Sequence, residues 1–581
     1  MPHYFISIAV ESPFHIELEA RFHLGQDQTQ QDFQLPVWRP GRYQRFNFAQ
    51  YIQQLSVTDS YGNALPFHKR APSTWRVQTR SNEEVVFRYR YYGDQLDAGR
   101  TFWDGETLVF NPVSALVYPL GQESTACTCY FELPEGWNCI SLLDKNEETG
   151  LLEAGDYHQL FDAPTLAAPQ LQQIRYECEG AAFNFWASGA VKLDAAMLVK
   201  DFRRFSEAYY RLFEGWPFQD YHFLLHAPSL PHYHGLEHAN GTMLILGPAA
   251  EVSSKKYRDL LGVASHELFH AWNVKAVKPT HFTPYDYTQP PVSPLGYVYE
   301  GATTYYGDLM LLRSGVFSWQ AYVAEMNTLL RRHLHNDGRR HLSVADSSRD
   351  TELDGYQMGV PYRKASIYIE GAVISFLLDI ELRRATHNVY GLDEVFRRLY
   401  QKFGQGGGGY EEADFWRLVS EVAGVDFDGW YRRLVAGTED TLPAIRQALD
   451  YLGLMLEEHP ADYLIEAALG IKLNSVRKDG QGPEILHLAQ DSPQNGPLRR
   501  GDRLVALGGV ALRDSIPDEL LRALGNGPTE VCFVRQGRLL CLQLELTLEP
   551  RFFSKWTVKP HNNRSARQQA AFQAWSWGAL I

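Results

Sequence analysis

The segment His266-Glu267-Leu268-Phe269-His270 constrains this chain more than any other stretch. It is an HExxH motif, and its chemistry needs a helix. Residues four apart share a helix face, so His266 and His270 can point two imidazoles at one ion. Glu267 then stands beside that ion, placed to take a proton from the attacking water. The spacing suits one zinc ion, because two neutral imidazoles leave room for a third protein ligand and an open position. The flanks agree with a helix. Tyr257, Leu260, Leu261, Ala264, Leu268 and Ala271 recur at helical spacing, so the motif lies on an amphipathic, partly buried element. Histidines buried there need partners, and a metal supplies them; a chance pentapeptide on a solvated helix would need none.

A chain of 581 residues exceeds a single core, and about two to four domains are expected. The formal net charge of −14 argues against a general nucleic-acid binder and against a binder of anionic membranes. No apolar run reaches the roughly eighteen residues of a transmembrane helix. The start, Met1-Pro2-His3-Tyr4-Phe5-Ile6, lacks a basic region, and Glu11 and Glu17 follow, so no signal peptide and a cytoplasmic location are expected. The six cysteines form no CxxC, and a disulfide framework is not expected in so long a chain. Cys127 and Cys129 alternate in phase with Phe131 and Leu133, as core positions of a strand do.

The chain reads as multidomain. Residues 1–175 form an all-β, sandwich-like domain: Ile16, Leu18, Ala20, Phe22 and Leu24 alternate, as do Val85, Phe87, Tyr89 and Tyr91. Residues 176–453 read as mainly helical. Leu198, Phe202, Phe205, Tyr209 and Leu212 make one helix stripe, and further helices are expected over 300–313, 318–333, 368–385, 392–403, 411–424 and 427–436. The run Gly404-Gln405-Gly406-Gly407-Gly408-Gly409 reads as a loop. Residues 454–550 form a third unit of short strands with one helix near 517–524. A tail, 551–581, is basic and polar and then aromatic.

The third metal ligand should come from a second helix downstream. Glu300 is the best candidate, and Asp308, two turns on along the same face, could orient a histidine from behind. The alternative is that Glu300 is only a helix N-terminal charge. The stretch with His226, His232, His234 and His238 reads as an exposed loop, with a second metal site as the alternative.

The motif continues as Ala271-Trp272-Asn273. HExxHxWN, together with EGxTxYY from Glu300, resembles the glycyl aminopeptidase family of zinc metallopeptidases, gluzincins with two histidines and one glutamate as ligands. Leu35-Pro36-Val37-Trp38-Arg39-Pro40-Gly41-Arg42-Tyr43 is similar to the signature of that family's N-terminal β domain, and Ala436-Gly437-Thr438-Glu439-Asp440 to the end of its peptidase domain. The resemblance implies a thermolysin-like catalytic domain holding one Zn2+ on His266, His270 and Glu300, with Glu267 as general base. It implies that Glu237, in Gly235-Leu236-Glu237-His238, binds the free α-amino group of a peptide substrate. It implies that Tyr368 donates a hydrogen bond to the oxyanion. The implied activity is removal of an N-terminal glycine or alanine. The alternatives are a gluzincin endopeptidase and a binding or scaffolding protein with a vestigial peptidase domain.

Leu469-Gly470-Ile471-Lys472-Leu473 resembles the carboxylate-binding loop of a PDZ domain, and Gly501-Asp502-Arg503-Leu504 and Leu507-Gly508-Gly509-Val510 follow in PDZ order. This implies that amides of Leu469, Gly470 and Ile471 receive the C-terminus of a peptide, with the chain's own Ala579-Leu580-Ile581 as one ligand. The oligomeric state is not legible in the sequence.

Overall fold

The computed structural model describes residues 1–25, 29–79, 84–357, 360–404, 408–474 and 482–580. Alternating apolar residues build the N-terminal β domain. A seven-stranded sheet contains His3–Ile8, His15–His23 and Glu84–Tyr92, and two four-stranded sheets accompany it. The sheets pack through rings. Phe33, on the strand Gln30–Gln34 of a four-stranded sheet, lies 4.9 Å from Phe22 and 4.6 Å from Phe87 of the large sheet. Cys127 and Cys129 are buried on the strand Cys127–Glu132, inside this core.

The second domain does not open helically. It begins with a five-stranded sheet in the order Gln172–Cys178, Ala181–Ser188, Asp220–His226, Gly241–Gly247, His232–His238. The first of these strands crosses the boundary expected at 175. The histidine-rich stretch is therefore not an exposed loop. His226 is buried on a central strand against the Ser188 hydroxyl, 2.9 Å away, and His238 is buried at the end of an edge strand. The helices follow close to expectation: Ala195–Phe213, Tyr257–His270, Thr303–Arg313, Trp319–Leu334, Ile369–Ala385, Leu392–Phe403, Glu412–Ala423 and Asp428–Leu434, with Leu442–Tyr451 in addition. The helix Leu392–Phe403 ends at Gly404; residues 405–407 of the glycine-rich run lie outside the described residues.

The C-terminal unit has its own core, built from residues such as Leu464, Ile485, Leu504, Leu521, Phe533 and Leu546. It is inserted into the second domain. Leu454–His459 pairs antiparallel with Lys555–Pro560, and this ribbon belongs to the main core through Leu454, Leu456, Trp556 and Val558. The tail then docks as the helix Ala566–Ser576. The Trp575 indole N–H donates to the Tyr305 hydroxyl at 2.8 Å, and the buried Arg313 donates to the Trp575 carbonyl at 2.9 Å. Ile581 lies outside the described residues, and Leu580 is exposed.

One disulfide is present against expectation, Cys532–Cys541. The two residues face each other across the hairpin of Gly527–Arg535 and Arg538–Leu546, which brings them together without any wider framework. No helix among the described residues is long and apolar enough to cross a membrane.

Candidate active site

The HExxH helix Tyr257–His270 is wedged into the domain. Leu260, Ala264, Leu268 and Phe269 are buried, and the Ser265 hydroxyl donates to the Gly307 carbonyl at 2.7 Å. His266 and His270 share a face, with their Nε2 atoms 3.1 Å apart. Glu300 comes from the neighbouring run, a π-helical turn over Tyr297–Ala302 that leads into the helix Thr303–Arg313. It does not cap a helix. Its carboxylate is 2 % exposed, and Oε2 lies 3.4 Å from His270 Nε2 and 3.8 Å from His266 Nε2. A charge placed there by the helix dipole alone would face water, so the N-terminal-charge alternative fails.

Asn273, the last residue of HExxHxWN, holds these pieces in register. His270 Nδ1 lies 2.9 Å from the Asn273 carbonyl, which selects the tautomer with Nε2 free to ligate. The Asn273 amide donates to the Val298 carbonyl at 2.9 Å and to the Thr303 hydroxyl at 3.1 Å, fixing the turn that carries Glu300. Asp308, the residue expected to orient a histidine, makes no hydrogen bond to either ring among the described contacts. It lies one turn beyond Thr303 and lines the cleft instead, where burial and then Glu325 push its carboxyl up to about 7. The carbonyl of Asn273 takes the orienting role.

Glu267 and Glu237 complete the cluster. Glu237 projects from the edge strand His232–His238, and its donor atoms lie within 4.8 Å of those of Glu267 and His270. Both carboxylates are buried, and each keeps one oxygen without a hydrogen bond, Oε1 of Glu237 and Oε2 of Glu267. Burial, followed by the charges of Glu237 and Glu300, pushes the Glu267 carboxyl well up, against the pull of His270. Burial also lowers His270, but Glu237 and Glu300 outweigh it and push the imidazole up to about 10. Such a set of acceptors and imidazoles favours a positive charge at its centre. The donor set of His266, His270 and Glu300, all within 4.8 Å of one another, fits one divalent cation.

Tyr368 stands at the start of the helix Ile369–Ala385 and lines the same cleft as His266 and Glu267, a space of about 400 Å3. Glycines bring the helices this close. A Cβ on Gly301 would lie 2.4 Å from the Gly371 Cα, so the residues next to Glu300 and near Tyr368 meet backbone to backbone.

The N-terminal domain supplies a wall that site reasoning from the sequence did not assign. In its segment Trp38–Tyr43, the buried Arg39 donates to Asp97 at 3.1 Å and Arg42 donates to Asp97 at 3.2 Å. Tyr43 is buried and stacks on Phe282 at 5.4 Å, with Tyr299, the neighbour of Glu300, at 4.7 Å. The signal for it lies in the Trp38-Arg39-Pro40-Gly41-Arg42-Tyr43 signature.

Leu469, Gly470 and Ile471 lie at the join of a helix and a strand. Leu469 ends the helix Leu464–Leu469, the Gly470 N–H donates to the Glu466 carbonyl at 3.2 Å, and the buried Ile471 begins the strand Ile471–Leu473. Phe552 packs over Gly470. The Gly470 amide is thus used inside the unit.

A β domain clasped to a helical domain, with an HExxH helix packed against a buried glutamate beside a cleft, has the layout of a metal-dependent peptidase. The comparisons agree. A family model described as the Peptidase M61 N-terminal domain matches residues 3–169, and one described as M61 glycyl aminopeptidase matches residues 259–374. The chain is a peptidase of the M61 family. The fold is similar to that of an aminopeptidase N family protein from Idiomarina loihiensis, with a TM-score of 0.89 and 24% identity over 99% of this chain and 100% of that one. A further match is an M1 zinc metallopeptidase from Deinococcus radiodurans, with a TM-score of 0.48 and 14% identity over 76% of this chain and 94% of that one. No curated protein matches.

Proposed function

We propose that this peptidase is a zinc-dependent aminopeptidase that releases the first residue of peptides with a free N-terminus, with glycine and alanine preferred. The observation that carries the reading is the buried Glu237 carboxylate. It sits in one cluster with Glu267 and His270 and keeps an oxygen unpaired. A buried acceptor of that kind is costly unless a cation meets it, and a substrate ammonium meets it while setting the cleavage register at the first residue.

His266, His270 and Glu300 would hold the zinc, which supplies Lewis acidity to the attacking water and the scissile carbonyl. Glu267, held in a dry site that raises its basicity, takes the proton of the attacking water and passes it to the leaving amine. Tyr368 donates a hydrogen bond from its hydroxyl to the oxyanion. Glu237 anchors the ammonium. The C-terminal unit is read as PDZ-like in fold. The antiparallel sheet of Arg503–Leu507, Gly527–Arg535 and Arg538–Leu546 and the helix Asp518–Leu524 support that reading.

The test is hydrolysis of Gly-, Ala- and Leu-anilides beside an N-acetylated peptide, with and without a zinc chelator. Chelator-sensitive cleavage of the free-amine substrates alone is expected. Cleavage of the blocked peptide would replace this reading with an endopeptidase.

A further inference from the structure

We propose that Tyr356 is a positioning residue for Tyr368 and that it ties the direction of the Tyr368 hydroxyl to the N-terminal β domain. The proposal rests on the role given above to Tyr368. A tyrosine that stabilises an oxyanion must present its proton to substrate, so another group has to fix the hydroxyl and leave that proton uncommitted. Tyr356 meets this requirement. Its hydroxyl oxygen lies 3.4 Å from that of Tyr368, and either oxygen can be the donor. The backbone N–H of Tyr43 donates to the Tyr356 hydroxyl at 3.3 Å.

That second contact decides the direction. The Tyr43 N–H has no proton-accepting capacity, so it occupies a lone pair of Tyr356 and leaves the Tyr356 proton to be given elsewhere. Tyr368 is the hydroxyl within reach. When Tyr356 donates to it, the Tyr368 proton turns outward into the cleft, which it shares with His266 and Glu267. Both bonds are long, and the mechanism has them shorten as the oxyanion draws on the Tyr368 hydroxyl.

Tyr356 is held from the far side as well. The Arg42 guanidinium lies 4.8 Å from its ring centroid, and Arg42 is itself fixed by Asp97. Arg42, Tyr43 and Asp97 all belong to the N-terminal domain. A movement of the Trp38–Tyr43 segment is thus a movement of the support behind Tyr368.

The experiment is a double-mutant cycle of Tyr356→Phe and Tyr368→Phe, read by kcat, KM, bound zinc and melting temperature. Phenylalanine keeps the ring and removes only the hydroxyl. The Tyr356 variant is expected to lose about three- to tenfold in kcat, with KM, zinc content and melting temperature unchanged. The Tyr368 variant is expected to lose about a hundred- to a thousandfold. The double variant should match the Tyr368 variant, because Tyr356 acts only through it. Wild-type kcat in the Tyr356 variant, an effect on KM alone, or multiplicative losses in the double variant each overturn the proposal while leaving the Tyr368 role intact. Full turnover in the Tyr368 variant overturns both.

Discussion

Gly41 and Glu237 belong to different domains, yet a Cβ on Gly41 would lie 2.4 Å from Oε2 of Glu237 and 2.3 Å from Cδ1 of Leu236. Gly41 also has φ of +81°, a conformation that side chains rarely adopt. The N-terminal domain therefore sets the resting place of the candidate amine anchor with bare backbone. Gly41→Ala is expected to displace Glu237 and to raise KM for a glycine anilide by about tenfold or more, at a stability cost of about 1–2 kcal/mol. Steady-state kinetics beside a melting curve check this. An unchanged KM would remove Gly41 from the amine site.

A second glycine bears on the candidate base. A Cβ on Gly235 would lie 2.3 Å from Glu267 Oε1, so the edge strand that carries Glu237 also confines Glu267. Glu267→Gln keeps the volume and removes the proton acceptor. It is expected to lower kcat by about two to four powers of ten while zinc stays bound. Turnover and metal content on the same sample decide it, and retained activity would sink the assignment of Glu267 as base.

Much of this site was legible because its parts are local. HExxH needs only a helix to bring its residues together, and the spacing of Leu260, Leu261, Ala264 and Leu268 announced that helix. Glu300 was legible as a candidate, but its face was not, because a π-helical turn shifts the register that an α-helical reading assumes. Asp308 was misassigned for the same reason. The strands Ala181–Ser188 and Asp220–His226 were missed although Phe183 and Phe185, and Tyr221, Phe223 and Leu225, alternate toward the core. The strand Gly241–Gly247 is buried along its whole length, so it has no alternation to read. The bond Cys532–Cys541 was hidden by counting cysteines over the whole chain; the pair flanks Gln536-Gly537 symmetrically, which is a local hairpin signal. The contacts of Gly41 with Glu237 and of Tyr43 with Tyr299 and Tyr356 join segments hundreds of residues apart, and nothing in one sequence states such contacts.

Asp308 yields a prediction about pH. Its carboxyl, ordinarily near 3.8, is pushed up to about 7, chiefly by burial and then by Glu325. The raised value means that the folded state binds this proton more tightly than the unfolded state does. Stability from this group is thus greatest in acid, falls as pH rises from about 4 to about 7, and is level above that. Asp308→Asn removes the titration. The variant should gain on the wild type with rising pH, by about 1–3 °C in melting temperature at pH 8 and by less at pH 5, since Asp308 keeps some contact with solvent. Equal gains at both pH values would show that the carboxylate is not strained by ionisation.

Asn273 makes the sharpest claim about the metal. Its side-chain amide reaches the Val298 carbonyl and the Thr303 hydroxyl, while its backbone carbonyl faces His270 Nδ1. Asn273→Ala keeps the carbonyl and so keeps the His270 tautomer. It releases only the turn that carries Glu300. The expected result is a loss of about ten- to a hundredfold in zinc affinity, the usual effect of freeing a ligand from its support. Competition with a chelator of known affinity measures this directly, and restoring kcat with added zinc separates lost metal from lost chemistry. If the variant binds zinc as the wild type does, the turn is held by its own packing at Gly301 and Gly371, and Asn273 serves only to satisfy buried carbonyls.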